Sequence, residues 1–179
     1  MEALVHLDVA LRSWVVGHRV HALDAAMWLV SEAGRGGTVF LAIAAAVSAL
    51  ARRWRDIVYA AVAIAITATL VDHVMKPLIG RQRPFTTYPT VEVIGSKPDD
   101  ASFPSGHAAN SFAGAFVLAR SVPSAAAVWW TLAVVVAYSR VYLGVHYPAD
   151  VTGGAIIGTL VAVAVCRAGR AWHAGGRSR

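Results

Sequence analysis

The sequence predicts an all-α, polytopic membrane helix bundle: five clear spans, preceded by an N-terminal amphipathic helix or a sixth span. Three observations carry this. Apolar residues fill 57% of the 179 positions and charged residues only 15%, against about 45–50% and about 25% in soluble domains. The mean hydropathy is +0.56. The few charges fall between uncharged runs rather than inside them. So few charges cannot cover a soluble surface, and disorder is excluded because it requires low hydrophobicity. The single cysteine, Cys166, lies in an apolar run and reads as an inert core residue, which excludes a disulfide scaffold. Of the 16 basic residues, 14 are Arg, and the net charge is +6. A basic chain suits nucleic acid or an anionic bilayer. Basic residues set between apolar runs favour the lipid bilayer, with no nucleic-acid role.

The elements follow in order. Leu4, Leu7, Leu11, Trp14 and Val15 form a helical stripe opposite Asp8 and Arg12, and a second apolar patch covers Ala25–Val30. With Glu2, these charges also interrupt any cleavable leader. The region 1–34 either lies in the interface or supplies a further span. An Asp or Arg near mid-bilayer costs roughly 2.5–3.5 kcal/mol on insertion scales, which favours the interfacial arrangement. The five spans are expected at Gly36–Ala51, Ile57–Val71 continuing to Lys76, Ala101–Ala119, Ser121–Ser139 and Val151–Cys166. Several are shorter than the ~20 residues a span needs, so their polar ends must sit at the interface. The cluster Arg52, Arg53, Arg55 and the tail Arg167, Arg170, Arg177, Arg179 are both basic. The positive-inside rule places both in the cytoplasm.

That threading carries three polar groups to the opposite, outer face. The first is Lys76 to Pro84, with Lys76, Arg81 and Arg83 at one helix end. Arg offers a planar fork that matches phosphate, and Lys a point charge. The second is Pro104, Ser105, Gly106, His107 before an apolar run. It reads as a helix N-terminus, whose free N–H groups favour bound phosphate. Ser105 adds a hydroxyl, Gly106 permits close approach, and His107 stands where it can deliver a proton. A plain capped helix with an interfacial His explains this group equally well. The third runs from Ser139 and Arg140 to His146 and Asp150. His146 and Asp150, four apart, share a face if the turn is helical, and a carboxylate then fixes the imidazole tautomer. The alternative is a structural pair stitching loop to helix. Ionisable residues gathered at one face of a charge-poor membrane protein favour function. The linker 85–103 is the one long loop, and loops of that length are often functional.

Lys76 with Arg83 and Pro84, then Pro104 to His107, then Ser139, Arg140, His146 and Asp150, resembles the three-part signature of the type 2 phosphatidic acid phosphatase family. The gaps of 19 and 31 residues resemble those of small bacterial members. The resemblance implies a single membrane-embedded phosphatase domain over 1–179, with its catalytic core over 57–166. It implies that His146 attacks phosphorus to form a phospho-histidine, that Asp150 orients it, and that His107 protonates the leaving oxygen and then activates water. It makes Lys76, Arg83, Ser105, Gly106, Ser139 and Arg140 the phosphate-binding residues. The substrate is then a membrane lipid phosphate, with polyprenyl diphosphate leading and phosphatidylglycerol phosphate, phosphatidic acid and a polyprenyl-phosphosugar phosphate as alternatives. No cofactor and no metal is expected: clustered cations repel a divalent ion, and a His ligand cannot also be the nucleophile. The implied location is the inner (plasma) membrane, multi-pass, with the site outside and the C-terminus in the cytoplasm. Two other classes share these residues, a vanadate-dependent peroxidase and a non-enzymatic lipid-phosphate binder or transporter.

Asp72, four before Lys76, is expected to pair with it as support. Arg81 is expected to be a solvated loop residue, with a second phosphate or a headgroup as its alternative ligand. His73, Tyr142, Tyr147, Trp129, Trp130 and Trp172 are expected in interface or packing positions, and His6, His18, His21 and His173 at the surface or interface.

Overall fold

Apolar runs in lipid must satisfy their backbone groups internally, which favours helix, and helices are what the chain forms. The computed structural model describes residues 2–52 and 54–175. Arg53, Arg177 and Arg179 lie outside the described residues, as do the side chains of Trp172 and His173. In order come α1 (Glu2–Gly17), α2 (His21–Gly34), α3 (Thr38–Ala51), α4 (Trp54–Thr69), the short α5 (Lys76–Ile79) and α6 (Pro84–Thr87), then α7 (Gly106–Ser121), α8 (Ala126–Tyr142) and α9 (Pro148–Gly175). The backbone breaks between α2 and α3 at Gly36 and Gly37, with φ of 58° and 74°. At Gly37 a Cβ would also come within 3.0 Å of Ile64, so only glycine fits this left-handed turn.

The bundle is organised around α7, which packs against α3, α4, α8 and α9. Its residues are small, and small residues let membrane helices approach until backbones touch. A Cβ on Gly154 or Gly158 of α9 would lie 2.4 Å from the Ser105 carbonyl oxygen or 1.9 Å from that of Ala109. On another face Phe40 of α3 fills the space left by Gly114. Phe40, Ile64, Leu118, Ala133 and Cys166 belong to one buried cluster.

Among the described residues, four helical stretches are long and apolar enough to cross a membrane: His21–Ala51, Trp54–Thr87, Pro123–Tyr142 and Pro148–Arg170. The chain is a multi-pass membrane protein. The expected span at Ala101–Ala119 differs. Its helix, α7, has 16 residues, about 24 Å at 1.5 Å per residue, and its neighbours sheathe it. It begins at Gly106 because Ser105 caps it, with its side chain accepting from the Ala108 N–H. In contrast, α8 and α9 run past the uncharged stretches expected for them, since Arg140 and Asp150 find partners inside the protein.

The N-terminal helix keeps the two opposed faces expected of it, and the charged one packs on the protein. Leu4 and Trp14 are 72% and 62% exposed, whereas Asp8 and Arg12 are 7% and 4% exposed. The apolar stripe of α1 faces outward and its charges face the protein. Asp8 accepts from Arg81 and from the Ala149 N–H, and the Arg12 guanidinium lies over the Tyr88 ring. The penalty for a charge in lipid therefore does not apply to these two residues.

Candidate active site

The first group is delivered by a distortion of α4. Over Leu70–Met75 the helix widens into a single π-turn before continuing as α5, a feature frequent at functional sites. Lys76 emerges there buried, its Nζ donating to Asp72 at 2.6 Å and to Asp100 at 2.5 Å. The expected Asp72 support is present. Arg83, just before α6, is also buried. Its Nη1 donates to the Val145 carbonyl at 2.9 Å and to His146 Nε2 at 3.2 Å, and its Nη2 donates to Asp100 Oδ1 at 2.5 Å.

The close contact of α7 with α9 joins the second and third groups. The Ser105 N–H donates to the Asp150 carbonyl at 3.0 Å, so the first turns of the two helices lie side by side. His107 stands in the first turn of α7, and its Nε2 has no hydrogen-bond partner in the protein. Arg140, in the last turn of α8, donates from Nη1 to Ser31 Oγ of α2 at 2.5 Å and leaves its Nε unpartnered.

His146 lies in the α8–α9 loop, 2% exposed. Asp150, at the third position of α9, reaches back to accept from the Tyr147 N–H at 2.8 Å, as in a capping box. The same oxygen faces His146 Nδ1 at 3.3 Å and accepts from Ser102 Oγ at 2.5 Å. Because Nε2 faces the Arg83 donor and Nδ1 the carboxylate, the neutral ring carries its proton on Nδ1 and its lone pair on Nε2. Burial lowers the imidazole to about 4, and Arg83 and Arg140 push the same way, against the upward pull of Asp150. Its reactive nitrogen is therefore unprotonated at neutral pH.

Lys76, Arg83, Gly106, His107, Arg140 and His146 line a single cavity of ≈ 430 Å³, together with Arg35, Asp72, Asp99 and Asp100. Three distant pieces of chain thus meet in one cationic cup. Two expected phosphate ligands do not line it. Ser139 is fully buried in α8, and its hydroxyl donates to the Val136 carbonyl at 2.7 Å in its own helix. Ser105, also fully buried, serves as the cap of α7.

A model of the PAP2 superfamily matches residues 56–173. The chain belongs to the PAP2 superfamily. Among curated relatives, it is 32% identical over 165 residues to an undecaprenyl-diphosphatase of Sulfolobus acidocaldarius, covering 89% of this chain and 77% of that one. It is 34% identical over 129 residues to the bacitracin transport permease protein BcrC of Bacillus licheniformis, covering 70% of this chain and 63% of that protein. Thus it spans just under two thirds of that relative's length. Among solved structures, a transmembrane PAP2 type phosphatidylglycerolphosphate phosphatase from Bacillus subtilis superposes with a TM-score of 0.76 at 26% identity, over 95% of this chain and 88% of that one.

Four residues in or around this PAP2 cup carry no clear sequence signal of their role. Asp100 bridges Lys76 and Arg83 from the long loop. Burial raises its carboxyl, but the Lys76 hydrogen bond and the charges of Arg83 and Lys76 outweigh that and hold it at about 2. Ser102 holds Asp150, and Ser31 holds Arg140. Arg81, expected in solvent, instead bonds Asp150 Oδ1 and Asp8 Oδ2, both at 2.6 Å. The spacing of Arg81 two residues before Arg83 is the one available hint, since alternate residues of an extended segment share a side.

Proposed function

We propose that this PAP2-type phosphatase removes the terminal phosphoryl group of a membrane lipid phosphate, with polyprenyl diphosphate as the leading substrate, through a phospho-histidine on His146. One observation carries the reading: His146, its Nε2 lone pair set by Asp150, lines a cavity shared by four cations, Arg35, Lys76, Arg83 and Arg140, and a second, unpartnered imidazole. The similarity to an undecaprenyl-diphosphatase supports the choice of lipid. Phosphatidylglycerol phosphate, phosphatidic acid and a polyprenyl-phosphosugar phosphate are the alternatives.

In this mechanism Nε2 attacks phosphorus as the bond to the leaving oxygen breaks, and His107, protonated once the bound phosphate offsets the cations that share its cavity, gives that oxygen its proton. His107 then takes a proton from water, which attacks the phospho-histidine, releases phosphate and restores His146. Lys76, Arg83, Arg140 and the Gly106 N–H neutralise the phosphoryl oxygens, the main task in phosphoryl transfer. These cations supply the charge, so the mechanism runs without a metal ion. The test is phosphate release from a panel of prenyl and glycerol lipids in detergent, with and without chelator. Fastest turnover on a prenyl diphosphate, unchanged by chelator, is the expected result. No release from any lipid phosphate would refute the function.

Two further outcomes are expected. Because His146 is held near 4, its nucleophilic form persists across the neutral range and is lost as pH falls through about 4. The acid limb of kcat/KM, which reports the free enzyme, should lie there rather than near 6.5, where an ordinary imidazole titrates. An acid limb near 6.5 distinct from the substrate phosphate's own titration, at about 6, would contradict the buried state of His146. Asp100 places a carboxylate on the very N–H groups that phosphate needs. Asp100→Asn should therefore tighten inhibition by orthovanadate, a phosphate mimic, by several-fold. Weaker inhibition would mean that Asp100 aligns the cations rather than competing for them.

The proposed setting is the plasma membrane, with the cup on the outer face and the basic Arg52–Arg55 loop inside, in line with the positive-inside rule. A cysteine introduced at exposed Ser96 should react with an impermeant maleimide in intact cells, and one at Arg52 should not.

A further inference from the structure

We infer that Asp8 of α1 is a positioning residue for the His146–Asp150 pair, acting through Arg81. The inference rests on the proposed role of that pair. Arg81 is a bridge with no slack: Nη1 donates to Asp150 Oδ1 and Nη2 to Asp8 Oδ2, both at 2.6 Å. Its guanidinium carbon lies 4.1 Å from the centre of the Tyr147 ring, which fixes its plane. Asp8 also holds the backbone that carries the catalytic carboxylate, because its Oδ1 accepts from the Ala149 N–H at 2.8 Å. One buried side chain of α1 thus grips both the cation bound to Asp150 and the residue preceding Asp150.

The chemistry follows from how Asp150 divides its two oxygens. Oδ1 is taken by Arg81, while Oδ2 serves His146, Ser102 and the Tyr147 N–H. A carboxylate anchored at one oxygen cannot rotate away from the imidazole. Its basicity, and so the readiness of His146, depends on how strongly Arg81 draws on it. Asp8 moderates that draw by taking the other half of the guanidinium fork. The second observation concerns the helix that carries Asp8. Leu4, Leu7, Leu11 and Trp14 all face outward and are exposed, so α1 offers lipid an apolar stripe while it offers the active site a carboxylate. Apolar contact with the bilayer thereby holds Asp8 in register with Arg81.

The test is a pH series of kcat and kcat/KM on a prenyl diphosphate for Asp8→Asn, Arg81→Gln, the double variant and Asp8→Glu. His146 is faced by Asp150, Arg83, Arg140 and His107, and Asp150 by Arg81. None of the first four is altered in these variants. In Asp8→Asn the amide oxygen still accepts from Ala149, but Arg81 turns its whole charge on Asp150. The acid limb should move to lower pH and kcat should fall by about tenfold to a hundredfold, the usual cost of losing a supporting partner. In Arg81→Gln the carboxylate loses its cation, so the limb should move to higher pH. Because Asp8 acts through Arg81, the double variant should match Arg81→Gln, and Asp8→Glu should restore kcat. KM and orthovanadate inhibition should stay within about twofold of the parent, as neither residue lines the cavity. Unchanged vanadate inhibition also shows that each variant is folded. Shifts in the same direction, no shift, additive losses in the double variant, or a change confined to KM would each overturn the inference. Turnover surviving in His146→Ala would instead remove the proposed nucleophile, a separate failure.

Discussion

Replacing His146 with alanine is expected to reduce kcat by four to six orders of magnitude, on the scale seen when an enzyme loses its nucleophile, while leaving lipid-phosphate binding in place. Nε2 is the nucleophile candidate whose tautomer the structure sets, through the 3.3 Å contact of Nδ1 with Asp150. Among the described residues no other side chain at the cup combines burial, an accepting ring nitrogen and a carboxylate partner. The binding cations are separate groups, so the variant should still bind orthovanadate. It should also fail to form the base-stable, acid-labile phospho-enzyme that rapid quenching traps in the parent. The same measurement distinguishes a non-enzymatic binder, for which His146→Ala would change nothing while Arg83→Ala would abolish binding. Persistent turnover in His146→Ala would disprove the phospho-histidine route.

The second large effect lies outside the cup. A Cβ at position 158 would stand 1.9 Å from the Ala109 carbonyl oxygen, 2.7 Å from its carbon and 3.0 Å from its Cα. These atoms are backbone and cannot swing aside, so Gly158→Ala must push α7 and α9 apart. Overpacking typically costs 1–3 kcal/mol, and a clash this close with backbone belongs at or above the upper end. The same helices carry His107 and Asp150 in their first turns. A displacement of about 1 Å between reacting groups can cost 10²-fold in rate. The variant should therefore lose thermal stability in detergent and most of its turnover together. Gly17→Ala, where a Cβ would meet nothing within 4 Å, is the matched control and should behave as the parent. A Gly158→Ala protein with parental stability and rate would show that this crossing is more compliant than its geometry implies.

The sequence was informative where chemistry is written into short spacings. Lys76 to Arg83, Ser105 to His107 and Arg140 to Asp150 each lie within a turn or two of a helix end, so residue type and helical period suffice to place them on one face. Partners contributed across the fold were not legible. Asp8 meets Arg81 over 73 residues, and Ser31 meets Arg140 over 109. No local period links such pairs. Ser139 shows the converse: its side chain is the right type for a phosphate ligand, yet its helix phase turns the hydroxyl onto the Val136 carbonyl. The two opposed faces of α1 were legible as a stripe opposite two charges, but what those charges meet was not. In water an apolar stripe points inward, but beside a bilayer the cheapest place for two charges is the protein, where Arg81 and Tyr88 receive them.

The widened turn at Leu70–Met75 has a consequence for insertions and deletions. A π-turn accommodates one residue more than an α-helical turn does, so it works as a phase adjuster between the membrane-crossing part of α4 and the lysine beyond it. Straightening that segment into regular α-helix with all its residues kept would rotate everything downstream by about 100°, the angle per residue of an α-helix, and the Lys76 ammonium would point away from the cavity. Deleting a single residue from the segment would remove the widening yet keep the downstream phase. The local irregularity is what makes the apolar shaft and the anion clamp compatible on one continuous rod.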